Sequence, residues 1–109
     1  MKQWELWKFP YPSEDNPYWF VIISPDAWCQ RSDQLVVNGL ACTTLRPLGR
    51  DLKSFEVRLD SADGLDWDTV VKCAYIHELR LSSAKEKLGP ISILRRREII
   101  RKLNGCIFP

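Results

Sequence analysis

Residues 18–24, Tyr-Trp-Phe-Val-Ile-Ile-Ser, form one unbroken apolar and β-branched run that stops at Pro25. The run is far shorter than the roughly 20 apolar residues a membrane-spanning helix requires. Its composition is that of a strand, and its lack of alternation is that of a fully buried one. The rest of the chain has to cover it. With 109 residues there is room for one domain with a modest core.

Other segments read as shorter strands. Residues 4–9 carry large apolar groups on both faces, and residues 10–17, with Pro10, Pro12 and Pro17 among small polar groups, read as a loop. Residues 25–33 turn polar. A strand starts at Leu35, is interrupted at Asn38-Gly39 by a bulge or tight turn, and resumes over residues 40–44. Residues 47–53 form another loop. Phe55, Val57 and Leu59 then alternate with Glu56 and Arg58, the period of a half-exposed strand. Residues 60–66 are a Gly- and Asp-rich turn. Residues 69–73 and 75–81 read as one further strand or a pair, and residues 82–89 as a polar, basic stretch. A helix follows over residues 92–103, with Ser92 as cap, Ile93, Ile99, Ile100 and Leu103 on one side, and Asn104-Gly105 as its end. No repeat, low-complexity segment or linker divides residues 1–109. The pattern predicts a mainly β domain: a small antiparallel barrel of five to seven strands, by estimate from the turns, closed by a C-terminal helix.

Composition sets bounds on function. Net charge is +2, which permits nucleic-acid binding without demanding it. Five tryptophans are many for this length and point to a packed domain with an interface. Cys29, Cys42, Cys73 and Cys106 form no CxxC pair and His77 is the single histidine, so no zinc motif is present. The thiols are expected to be free, mostly buried and reduced, without a metal or cofactor. The N-terminus does not read as a signal peptide, and the expected location is the cytoplasm, with no membrane partner.

Three stretches resemble one known family. Trp4-Glu5-Leu6-Trp7-Lys8-Phe9 is similar to its opening strand. Residues 18–28, from Tyr18 to Trp28, look like the apolar strand ending in Ser/Thr-Pro that follows its first loop. Residues 40–44 and 64–73 resemble its Thr-Ser strand end and the glycine turn leading to a Val-Val-x-Cys strand. The Gly89-Pro90-Ile91-Ser92 segment and helix fit its ending. The family is the MazF/PemK-like toxins of type II toxin–antitoxin systems, whose SH3-like barrel is also that of CcdB. The resemblance implies a homodimer, a cognate antitoxin partner, and a metal-independent endoribonuclease that cuts single-stranded RNA and stops growth. A related class on this barrel binds DNA gyrase and cuts nothing, so a non-catalytic binding protein is the alternative. Two family positions differ here. An arginine before proline is replaced by Asn16-Pro17, and an arginine–aspartate pair reads Lys72 and Ala74.

Cutting RNA without a metal takes a base for the 2′-hydroxyl, an acid for the leaving oxygen, and donors for the phosphoryl charge. The candidate catalytic residues are Lys72 and Thr43 for phosphate, His77 as the group titrating near neutrality, and Glu5 as base or orienting residue. Lys72 and His77 are five apart and face one side only if a bend separates them. Each candidate has a plain reading as well: His77 as packing, Lys72 as a solvated strand lysine, Thr43 and Thr44 as strand residues, Glu5 as surface. Arg95-Arg96-Arg97 reads as a solvated helix face or an RNA contact. Trp28 and Trp67 are candidates either to stack bases or to pack.

Overall fold

The computed structural model describes residues 1–44 and 51–108. Seven strands, β1 (Glu5–Ser13), β2 (Asn16–Ile22), β3 (Val36–Thr44), β4 (Glu56–Leu59), β5 (Thr69–Lys72), β6 (His77–Arg80) and β7 (Glu86–Pro90), join in one antiparallel sheet. A short helix α1 (Asp26–Cys29) follows β2, and α2 (Ile93–Ile107) ends the chain. The sheet runs β4-β5-β3-β2-β1-β7. On its outer side β3 is shared: Val36–Gly39 pairs with β6 and Cys42–Thr44 with β5. The fold is thus mainly β, a curled half-barrel with a C-terminal helix.

The apolar run explains the layering. Successive residues of β2 face opposite sides. Val21 joins Leu6, Leu40, Val57, Val71 and Ile99 in one cluster, while Phe20 and Ile22 join Phe9, Val37, Ala41 and Leu79 in another. Fully burying a side chain of this size is worth about 1.5–3 kcal/mol, so a strand buried on both faces is the energetic centre of the fold. Helix α2 closes the first cluster with Ile99, and Leu103 packs against it. Ile93 and Ile100, expected on that side, are exposed.

Several boundaries differ from those read in the sequence. The proline-rich stretch of residues 10–17 is mostly strand: β1 and β2 form a hairpin that turns at Glu14-Asp15, with a register irregularity between Phe9 and Pro12. Its prolines are tolerated because β1 pairs with β7 only as far as Lys8, so Pro10 and Pro12 leave no donor missing on that side. Strand β3 runs through Asn38-Gly39 without a break. A Cβ on Gly39 would meet Leu79 Cδ1 at 2.7 Å and Phe20 Cβ at 3.3 Å. The glycine is there for close packing, not for a turn. The basic stretch hides β7, a strand with Leu88 as its one aliphatic side chain. Helix α2 passes through Asn104-Gly105 to Ile107; both residues are exposed, and a solvent-facing glycine costs a helix only about 1 kcal/mol. Residues 47–50 of the expected loop lie outside the described residues.

The turn before β5 is held from inside. Asp60 and Asp63 cap each other's backbone, and Gly64 closes the turn at φ 80°. Asp63, 6% exposed, also accepts the Ser92 N–H at 3.1 Å and Arg95 Nε at 3.4 Å. Arg95 is therefore not a solvated residue; it fastens the start of α2 to this turn. Cys29, Cys42 and Cys73 are buried free thiols and Cys106 is exposed. Burial pushes Cys42 and Cys29 up, and raises Cys73 to about 11.

Gly39→Ala should lower stability by about 1–3 kcal/mol, the usual cost of overpacking a filled core. A drop in the urea midpoint with little change in slope is the expected result, and an unchanged midpoint would show that Leu79 moves aside freely.

Candidate nucleic-acid interface

The ends of β2, β3 and β5 meet in a groove of about 400 Å³ lined by Asn16, Pro17, Tyr18, Trp19, Cys42, Thr43, Thr44, Trp67 and Thr69. Each wall follows from pairing already described. The β1–β2 hairpin supplies Asn16 through Trp19. The Trp19–Cys42 pair and the Thr44–Thr69 pair bring β3 and β5 alongside. The capped turn before β5 delivers Trp67. Thr69 Oγ1 donates to the Thr43 carbonyl at 2.6 Å and fixes this corner. Trp19 and Trp67 lie with ring centres 6.2 Å apart and planes tilted by 40°. Lys8 Nζ stands 5.8 Å from the Trp19 ring centre. The described lining holds no carboxylate, imidazole or ammonium group; it offers hydroxyls, an amide and indole faces.

Of the four candidate residues, Thr43 alone lines this groove. Lys72 and His77 share its face of the sheet. Thr43 pairs with Val70, two residues before Lys72, and His77 pairs with Gly39, four residues before Thr43. The bend this requires is the segment 73–76, where the outer partner of β3 changes from β5 to β6. At about 3.3 Å per strand residue, the Thr43 and Gly39 rows are roughly 13 Å apart. Lys72 is already committed: its Nζ lies 2.5 Å from Glu56 Oε2, and Glu56 is fully buried rather than solvent-facing as its alternation suggested. Removing one partner of such a buried pair costs about 3–5 kcal/mol, so Lys72 is first a structural residue. His77 is half-buried and packs edge-on against Tyr11 at 5.3 Å and Phe20 at 5.6 Å.

Glu5 lies away from the groove, in a second cleft of about 430 Å³ with Lys2, Gln3, Trp4, Asp26, Pro90 and Arg96. It is buried, not on the surface. Its Oε1 accepts from the Lys2 N–H at 2.6 Å and the Trp7 indole at 3.1 Å, and Oε2 is 3.3 Å from Lys87 Nζ. Among the described residues no group of three or more His, Cys, Asp or Glu could hold a metal ion, and no helix is long and apolar enough to cross a membrane. Sequence reasoning named Asn16-Pro17 and Trp67 separately. It had no signal that a hairpin and a capped turn would bring them beside Thr43.

No protein-family model matches the sequence, and no curated protein matches it. The backbone does match solved structures. An endoribonuclease from mycobacterial species, in complex with its cognate antitoxin, superimposes with a TM-score of 0.81 over 100% of this chain and 97% of that one, at 16% identity. The fold is that of the MazF toxins. The MazF-mt6 toxin of Mycobacterium tuberculosis gives 0.76 over 94% of this chain and 95% of that one, at 14% identity. A MazE–MazF structure from Deinococcus radiodurans also gives 0.76, over 99% and 95%, at 18% identity. At these identities it is the MazF fold that is shared, and the likeness takes in nearly the whole of each chain.

Burial pushes the Glu5 carboxyl up, but the Trp7 indole, the Lys2 N–H and Lys87 together outweigh it and hold the group below its ordinary 4.5. The unfolded chain then binds this proton more tightly than the folded one. The stabilisation is present above pH 4.5 and is lost as pH falls through the lowered folded value. Glu5→Gln should therefore flatten the loss of stability below about pH 4.5, read from urea midpoints across pH. An equally steep loss in the variant would mean that other carboxylates carry it.

Proposed function

We propose that this chain is the toxin of a type II toxin–antitoxin pair and cuts single-stranded RNA. One observation carries the reading: the backbone follows that of an antitoxin-bound endoribonuclease from end to end, and its strand ends enclose a groove with Thr43 in the lining.

RNA supplies its own nucleophile. The 2′-hydroxyl gives up its proton and attacks the adjacent phosphorus; the bond to the 5′ oxygen breaks, and that oxygen takes up a proton, leaving a 2′,3′-cyclic phosphate. The protein has to align these atoms and stabilise the charge that grows on the phosphoryl oxygens. Thr43 is assigned the hydrogen bond to a phosphoryl oxygen. Lys72, His77 and Glu5 are assigned to holding the surrounding strands, since each is engaged by neighbours within the fold. A homodimer belongs to the same proposal, motivated by large apolar side chains left exposed on α2 at Ile93, Leu94 and Ile100. The antitoxin is the second protein partner, and the cytoplasm, where RNA and antitoxin are met, the place of action.

Purified protein should cut a long single-stranded RNA at discrete sites in EDTA, and a 2′-O-methyl group at a cut site should abolish that cut. Thr43→Val, which keeps the shape of the side chain, should lower the rate about 100-fold, the effect of losing one well-placed donor. Growth arrest with intact RNA would instead favour a toxin that acts by binding, as gyrase poisons do. Light scattering at micromolar concentration should give twice the chain mass; a monomer there would remove the dimer from the proposal.

A further inference from the structure

The described lining of the groove carries no charged side chain, and ring faces and hydrogen-bonding edges are what it presents to a nucleotide. We propose that Trp67 stacks one unpaired base in the groove and that Asn16 reads that base's edge; this rests on the reading of the chain as an RNA-binding toxin.

Trp67 is 40% exposed although the segment around it is firmly held. Two residues earlier, Leu65 is 4% exposed and belongs to the main cluster. The next residue, Asp68, accepts from Arg58 at 2.9 Å, and the one after it, Thr69, is tied to the Thr43 carbonyl at 2.6 Å. A large apolar ring on a rigid segment is thus displayed at the wall of a concave site, supported by Trp19. Rigid display lowers the ordering cost of stacking a ligand on it. Lys8 Nζ stands 5.8 Å from the Trp19 ring centre, but the described lining itself carries no charged side chain. It offers π-surface and hydrogen-bonding edges, the two features that an unpaired nucleobase presents and a paired one hides.

Asn16 is exposed at the rim, at the first residue of β2. Among the described residues its carboxamide makes no hydrogen bond, and a carboxamide can donate to and accept from one base edge at once. An arginine here would bind any phosphate. An asparagine brings no charge, and its carboxamide can both donate and accept, which matches a base edge.

The test uses fluorescein-labelled 2′-O-methyl oligoribonucleotides of U, A or C, which present bases but lack the attacking hydroxyl, with binding read by anisotropy. Trp67→Ala should weaken binding about 10-fold or more, and Trp67→Phe, which keeps a stacking face, by less than about 3-fold. Asn16→Ala should narrow the spread of affinities among the three oligomers, and a fully duplexed oligomer should bind far more weakly than the single strand. Matching circular dichroism of Trp67→Phe and the wild type guards against unfolding. Equal affinity of Trp67→Ala and wild type, or equal binding of duplex and single strand, would overturn the proposal; the second result would leave a surface that a protein segment could use. If the oligomers bind with this dependence on Trp67 while ordinary RNA stays uncut, cleavage fails and the stacking site stands. If RNA is cut with an unchanged KM in Trp67→Ala, the stacking site fails and cleavage stands.

Discussion

The ladder between β2 and β3 is the constraint on which the other elements depend. Phe20 pairs with Ala41 and Val21 with Leu40, and the two pairs face opposite clusters. A ladder buried on both sides needs two covers. α2 and β4 supply one, and the β1–β2 hairpin with α1 and β6 supplies much of the other. Gly39 lets Leu79 approach the ladder closely, so β6 can share β3 with β5. The groove is a by-product of that sharing, because it forms where β2, β3 and β5 end together.

Much of this was legible in the residues. The uninterrupted run of residues 18–24 announced a buried strand, and Ser92 before a run of helix formers announced α2, whose cap it makes by accepting the Arg95 N–H. What escaped was written in long-range pairing. Strand β7 carries Glu86, Lys87 and Gly89 and has no pattern of its own; it exists because the edge of β1 has donors and acceptors to share. Glu56 looked exposed because its neighbours alternate. It is buried because Lys72 on the adjacent strand reaches it.

The candidate site was legible to a lesser degree, for a related reason. Chemistry-bearing residue types are easy to pick out of a sequence, but whether their groups are already engaged is not. Lys72, His77 and Glu5 were chosen for their chemistry, and each is engaged by a partner brought from another strand: Glu56, the Tyr11 and Phe20 rings, and Lys87. Thr43 was chosen for its chemistry too, as a donor to phosphate, and of the four it alone lines the groove, because it stands where β3 ends beside β5. Trp67 lines the groove as well. The sequence left it either to stack bases or to pack, and only the Asp60–Asp63 cap and the Arg58–Asp68 pair show how steadily the ring is held.

The prolines of the β1–β2 hairpin have a consequence for life in a crowded solution. A hairpin that extends past its sheet offers bare backbone edges, and such edges invite a strand from another molecule. Here Pro10, Pro12 and Pro17 remove three N–H donors from the projecting part, and Glu14 and Asp15 charge its tip. A passing chain finds too few donors there to lengthen the sheet. The same residues that look like a loop in the sequence keep this edge from seeding aggregates.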